Sequence, residues 1–165
     1  MNYLFRKLTK NDLDSLWELI SLLKKENCDV SFTELESKDE LLKYVDNPSD
    51  LTYVAVTTDD IPIVISVVKA RRDLSPEKRH AAFLSAATHP DYRGRSIVVN
   101  LTNYVLEELK KVGTNVARIY VYSDNQASLN VVKKLGFVQA GIIYRHHLDV
   151  KTNTYVDDII FHKVL

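Results

Sequence analysis

The sequence predicts an α/β (α+β) fold: one domain over residues 1–165, with about seven strands and about four helices. Three observations carry this expectation. The chain has 165 residues, the size of one ordinary domain, since single domains cluster near ~100 to 200 residues. Segments with apolar residues three and four apart alternate with short runs rich in β-branched residues. Hydrophobic residues make up 45% and charged residues 27% of the chain, enough for a sizeable core and unlike a disordered tail.

Residues 3 to 8 read as a short strand. Thr9 or Asn11 can cap a helix whose positions Leu13, Leu16, Trp17, Ile20 and Leu23 lie on one face, ending near Asn27. Ser37 with Glu40 has capping-box spacing, and Leu41, Leu42 and Val45 give an apolar face, so a second helix is expected over 38–46, stopped by Asn47-Pro48. Residues 51–57 and 61–70 read as a hairpin around 58–60, with Pro62 at a strand start, where its missing N–H is tolerated. A polar loop over 71–79 precedes a strand over 80–88. A long amphipathic helix follows over 97–112, with Leu101, Tyr104, Val105 and Leu109 on its stripe and Gly113 as its stop. A strand at 116–122, a short helix at 125–135 ended by Gly136, and a hairpin of 137–148 with 155–164 close the chain.

Composition narrows the partners. Lys plus Arg (22) balances Asp plus Glu (22), with a sequence pI near 7.0, which argues against a nucleic-acid backbone or an anionic membrane as the main partner. A lone Cys28 forms no internal disulfide, and the N-terminus lacks the apolar stretch of a signal peptide, so a cytoplasmic location is expected. No metal is expected: the adjacent His146 and His147 would point to opposite faces of a strand. Oligomeric state is open between a monomer and a homodimer.

The stretch from Thr88 through Pro90, Arg93, Gly94, Arg95, Ser96, Ile97 and Val98 joins a strand to a helix start. Such a junction presents unpaired backbone N–H groups and a positive dipole end, which suits a phosphate or pyrophosphate. A solvated basic turn is the plain alternative. Here the sequence resembles the Gcn5-related N-acetyltransferase family, in which a Pro-x-x-Arg-Gly-x-Gly-x-Gly type turn cradles the pyrophosphate of acetyl-CoA; Pro90, Arg93 and Gly94 match it. Asn125-Gln126-Ala127-Ser128, Val131 and Lys134-Leu135-Gly136-Phe137 look like the matching helix and strand of the ribosomal-protein alanine and spermidine acetyltransferase branches. The resemblance implies a mixed, mostly antiparallel central sheet and acetyl-CoA as co-substrate. It also implies cofactor contacts from Ala86, Ala87 and Thr88, from Arg93 to Val99 including Gly94, Arg95, Ser96, Ile97 and Val98, and from Asn125 and Ser128. The acceptor it implies is a primary amine: a small amine, an amino acid or a peptide N-terminus.

The departures are as informative. Ser96 and Val98 replace two glycines of that turn, removing room and freedom at positive φ while keeping both N–H groups. Val132 stands where many members carry a tyrosine acid; Ala82 and Tyr120 stand at their alternative glutamate positions. Tyr120, Tyr144 and His80 are the candidate replacements, Tyr120 because Arg118, Tyr120 and Tyr122 share one side of their strand. The alternative function is a CoA-binding sensor or structural member that has lost turnover. Calorimetry with acetyl-CoA and thiol release across amines separates the two.

Overall fold

The computed structural model describes residues 2–26, 28 and 30–165. Strands β1 (Tyr3–Lys7), β2 (Asp50–Thr57), β3 (Val64–Arg72), β4 (Ala81–Thr88), β5 (Val116–Tyr122), β6 (Val138–Asp149) and β7 (Thr154–Val164) form one seven-stranded sheet in the order β1-β2-β3-β4-β5-β7-β6. The single parallel pair is β4 with β5, and the remaining pairs are antiparallel. Helices α1 (Leu13–Lys25), α2 (Ile97–Lys111) and α3 (Gln126–Lys134) are joined by a seven-residue 3-10 helix, Lys38–Tyr44.

Three boundaries differ from expectation, each for a local reason. The segment at 38–46 is a 3-10 helix, not an α-helix. Glu40 accepts from the N–H groups of Glu36 (2.6 Å) and Ser37 (3.0 Å), so its start is capped as the spacing predicts, but Val45 is already extended ahead of Pro48. β3 begins at Val64, leaving Pro62 in the hairpin loop, and it runs through Arg71 and Arg72, which are strand rather than loop. The expected end of α1 at Asn27 lies outside the described residues; α1 itself ends at Lys25.

The sheet separates two cores. On one face Leu101, Val105 and Leu109 of α2 pack on Tyr53, Ala55, Ile65, Val68, Ala70, Ala82, Leu84 and Ala117. On the other, Leu16, Leu19, Ile20 and Leu23 of α1, with Phe32 and Leu41, cover Val54, Val56, Val67 and Ala87. The central strands are therefore apolar on both faces, which explains why the sequence of β2 and β3 runs almost continuously apolar. Each buried Val, Leu, Ile or Phe among them contributes roughly 1.5–3 kcal/mol through burial.

The polar anchor of the N-terminal segment is Asp12, which is 5% exposed. Its carboxylate accepts from Arg6 at 2.6 and 2.7 Å and from the N–H and hydroxyl of Thr9, both at 2.8 Å. Burial alone would raise the Asp12 pKa, but these bonds outweigh it and hold the group below the usual carboxylate range. A lowered folded-state pKa gives stability that is present above the unfolded value, near ~4, and lost as pH falls through the folded one. Asp12→Asn is expected to cost about 2 kcal/mol at pH 7. The deficit should narrow as wild type is acidified below ~4; urea melts at pH 7 and pH 3 check both, and an unchanged deficit would refute the role.

Candidate active site

The site begins where two neighbouring strands part. β4 and β5 pair only at Ala81–Val116, Ala82–Ala117 and Phe83–Arg118. Beyond Phe83 the β5 side of β4 is open. The N–H of His89 donates to Ile65 O (2.9 Å), in register with Thr88 opposite Ser66 and Ala87 opposite Val67. Backbone groups alternate in direction along an antiparallel strand. The odd-numbered residues of β4 therefore spend theirs on β3, while Ala86 and Thr88 aim theirs into the gap. Ala87 is a correction: its carbonyl accepts from the Ser66 hydroxyl at 2.9 Å and its backbone turns toward β3, away from the gap.

The open edge leads into the turn before α2. The first helical bond runs from the N–H of Asn100 to Ser96 O (3.0 Å), so the N–H groups of Ile97, Val98 and Val99 have no intrahelical partner and sit at the positive end of the dipole. Gly94 has φ +76° and Ser96 φ +58°. Ser96 thus holds the left-handed conformation that a glycine adopts without strain, at a cost of roughly 1 kcal/mol. Val98 is an ordinary helical residue, so its replacement of glycine affects space and not backbone freedom.

Arg93 is also placed differently from expectation. Its guanidinium pairs with Glu26 at 2.7 Å and lies 3.7 Å from the Cys28 sulfur, tying the end of α1 to the turn instead of reaching into the cradle. The Arg93 hydrogen bond holds the Glu26 carboxyl below its ordinary range. Partial burial, then the bond to Glu26, push the Cys28 thiol up, so it is no thiolate nucleophile. Arg95 lies over the Tyr92 ring, 5.4 Å from its centroid. At the end of β5, the Asn125 side chain accepts from the N–H of Ser128 (3.0 Å) and caps α3, giving both residues a structural task beside the gap.

On the α1 face a cavity of about 300 Å³ is lined by residues that include Ser31, Glu34, Glu40, Lys69, Phe83 and Ser85. Lys69, opposite Ser85 in the β3–β4 register, is 3% exposed. Its ammonium lies over the rings of Tyr44 (4.5 Å) and Phe32 (5.2 Å) and donates to the Tyr44 hydroxyl at 3.3 Å. No carboxylate among the described residues pairs with it. Burial, with Arg71 nearby, pushes it down to about 8. The sequence marks position 69 only as part of a hairpin strand over 61–70, so sequence reasoning passed over it.

The three catalytic candidates separate. Tyr120 lies beyond the last β4–β5 pair, 38% exposed, its ring edge-on to Phe83 at 5.0 Å. Tyr144 is 74% exposed on the outer strand β6. His80 precedes β4 at the end where β4 and β5 are paired, its carbonyl accepting from Asn115 and Val116. Eight strand residues, ~26 Å at 3.3 Å per residue, separate it from Thr88, which removes it from the site. Val132 is buried at 1%, a core residue rather than an acid. Missed altogether was Asp158, which β7 sets opposite Tyr122 and within 2.6 Å of His146.

Among the described residues the sheet is mixed, its parallel pair β4–β5 parts beyond Phe83, and the N-terminus of α2 lies at the mouth of the split. Residues 15–137 match the acetyltransferase (GNAT) family, and the chain belongs to it. An uncharacterized N-acetyltransferase of Methanocaldococcus jannaschii is 23% identical over 142 residues, 86% of this chain and 63% of that protein. The L-amino acid N-acyltransferase MnaT of Escherichia coli is 35% identical over 60 residues, 36% of this chain and 35% of that protein. The chain thus spans about two thirds or less of the length of these relatives. The structure of yncA from Salmonella typhimurium with its cofactor acetyl-CoA superposes with a TM-score of 0.85 at 16% identity, covering 99% of this chain and 94% of that one. No helix of the described residues is long and apolar enough to cross a membrane.

Two substitutions probe this geometry. Ser96→Gly is expected to stabilise the fold by about 0.5–1 kcal/mol and to tighten acetyl-CoA binding severalfold, whereas Ser96→Ala, which keeps the strain, leaves both unchanged. Thermal melts and calorimetry decide, and equal behaviour of the two variants would contradict the strain. Lys69→Met is expected to gain about 2 kcal/mol at pH 7. Because the folded protein sheds the Lys69 proton at lower pH than the unfolded chain, wild type recovers this difference between about pH 8 and 10.5. A gap between the two proteins that is the same at pH 7 and pH 10 would refute this.

Proposed function

We propose that residues 1–165 act as one N-acetyltransferase domain, transferring the acetyl group of acetyl-CoA to a primary amine by direct attack in a ternary complex. The observation that carries this is the unpaired β4 edge at Ala86 and Thr88, running into the free N–H groups of Ile97, Val98 and Val99. An extended pantetheine arm fits that edge as a missing strand, and the pyrophosphate fits the helix start. An edge N–H would hydrogen-bond the developing oxyanion of the thioester carbonyl.

The acceptor enters from the α1 face, where the Lys69 cavity opens beside Phe83 and Ser85. Its walls carry both signs of charge, Glu34 and Glu40 with Lys43, Lys69 and Arg71, which suits a small amine, an amino acid or a peptide N-terminus rather than a nucleic acid or a membrane. Kinship with an L-amino acid N-acyltransferase favours the same range. An alkyl amine with pKa near ~10 is neutral about once in a thousand molecules at pH 7, a cost of roughly 4 kcal/mol. The departing thiol, near ~8.5 by analogy with cysteine, leaves as thiolate with little help. A proton acceptor for the amine therefore matters more than an acid for the thiol. Cytoplasmic operation fits a lone cysteine.

Calorimetry with acetyl-CoA, followed by thiol release across small amines, amino acids and peptides, tests the proposal. Saturable binding with turnover on one class is expected. Binding without turnover on any amine would favour a CoA-binding sensor, the reading that Ala82 and Val132 suggest, and absence of binding would overturn both. Asn125→Ala, which removes the α3 cap, is expected to cost about 1 kcal/mol of stability and to weaken acetyl-CoA binding; unchanged affinity would count against this helix as part of the site.

A further inference from the structure

The strand β6 breaks register with β7 twice, between Gln139 and Gly141 and between Ile143 and His147. The second break contains Arg145 at φ +54°, a left-handed conformation that is strained for any L-residue with a Cβ. The Arg145 N–H donates to Asp157 Oδ1 at 2.8 Å. The bulge swings His146 onto Asp158, Nδ1 to Oδ2 at 2.6 Å, and the next residue, His147, stacks on Tyr122 with centroids 4.8 Å apart.

Register places this pair. Asp158 lies opposite Tyr122 at the end of β5, past the last contact of β5 with β4. Opposed residues share a face of the sheet, so Asp158 projects on the side of Tyr120 and Tyr122, the α1 face, where Phe83 and Ser85 line the cavity. Diagonal neighbours across such a pair lie ~7–8 Å apart, so the Asp158 carboxylate is within about one side chain of Tyr120.

The two partners are unequal. Asp158 is 5% exposed and its Oδ1 has no hydrogen-bond partner among the described residues, whereas the His146 side chain is 55% exposed. A buried carboxylate is costly unless its partner compensates it. Here the partner is the His146 imidazole, whose Nδ1 lies 2.6 Å from the carboxylate; the tautomer that donates through Nδ1–H to an ionised carboxylate has Nε2 as its acceptor.

From this juxtaposition we infer that His146 is the general base for the acceptor amine and that Asp158 is its positioning residue. The inference rests on the acetyltransferase reading above. The incoming ammonium gives one proton to His146 Nε2. The neutral amine then attacks the thioester carbonyl, the C–N bond forms and the C–S bond breaks, and the second nitrogen proton ends on the departing CoA thiolate. The imidazolium, held by Asp158, releases its proton to solvent.

The test uses His146→Ala and Asp158→Asn with whichever panel amine wild type acetylates, following thiol release. Expected are a 10²- to 10³-fold fall in kcat for His146→Ala, acetyl-CoA affinity within twofold of wild type, and partial recovery of rate with added imidazole. Asp158→Asn, which preserves shape, should lower kcat without changing acetyl-CoA affinity and should not respond to imidazole. Unchanged kcat in His146→Ala, or a loss that imidazole leaves untouched while Asp158→Asn is fully active, overturns the assignment. Wild type that binds acetyl-CoA without turnover on any amine overturns it in favour of the sensor. Wild type that does not bind acetyl-CoA removes the underlying reading as well, so the two failures are told apart.

Discussion

The parting of β4 from β5 is the constraint on which the rest depends. A sheet whose central strands separate leaves backbone donors and acceptors without partners in the middle of the molecule, a costly arrangement unless water or a ligand satisfies them. Everything near the gap can be understood as making that cost tolerable. The strands stay in register at Ala81–Phe83, α2 and the apolar faces of β3 and β4 hold the two halves in one core, and β7 continues the sheet from β5. The gap is thereby framed by paired strands and a buried core on either side.

Two local irregularities lie close to that gap and each carries stored free energy. Ser96 occupies a left-handed position that a glycine would occupy freely, and Lys69 is an ammonium against the rings of Phe32 and Tyr44 with no carboxylate paired to it among the described residues. Strain of this kind survives where neighbouring structure over-determines it. In both cases the surroundings are buried: Ile97 and Leu101 behind the turn, and Phe32 and Tyr44 around the lysine.

Much of the fold was legible because local rules and global packing agree. The stripe of α2 and the Gly113 and Gly136 stops appear where periodicity put them, with Gly113 at φ +81° and Gly136 at φ +74°. The turn ahead of α2 was legible from Pro90 and Gly94, the latter at φ +76°. What escaped was information that lives between segments. The Arg93–Glu26 pair joins residues far apart in sequence, and the open direction of Ala86 and Thr88 depends on the register with β3. His80 read as a neighbour of the site because adjacency in sequence hides which end of a strand a residue occupies. Asp158 was invisible for the same reason: its meaning comes from lying opposite Tyr122, and no local pattern announces a pairing partner.

The bulges of β6 have a consequence for how the molecule meets its surroundings. β6 is the outer strand of the sheet and shows Val138, Ile142, Tyr144 and Leu148 to solvent, an apolar row on an unpaired edge of the sort that recruits other strands into aggregates. The two register breaks and the left-handed Arg145 interrupt its ladder, so no long straight template is offered to an incoming strand. At the opposite edge β1 is only five residues long. The kink that sets His146 against Asp158 thus also breaks the continuity of the edge that a second copy would have to pair with.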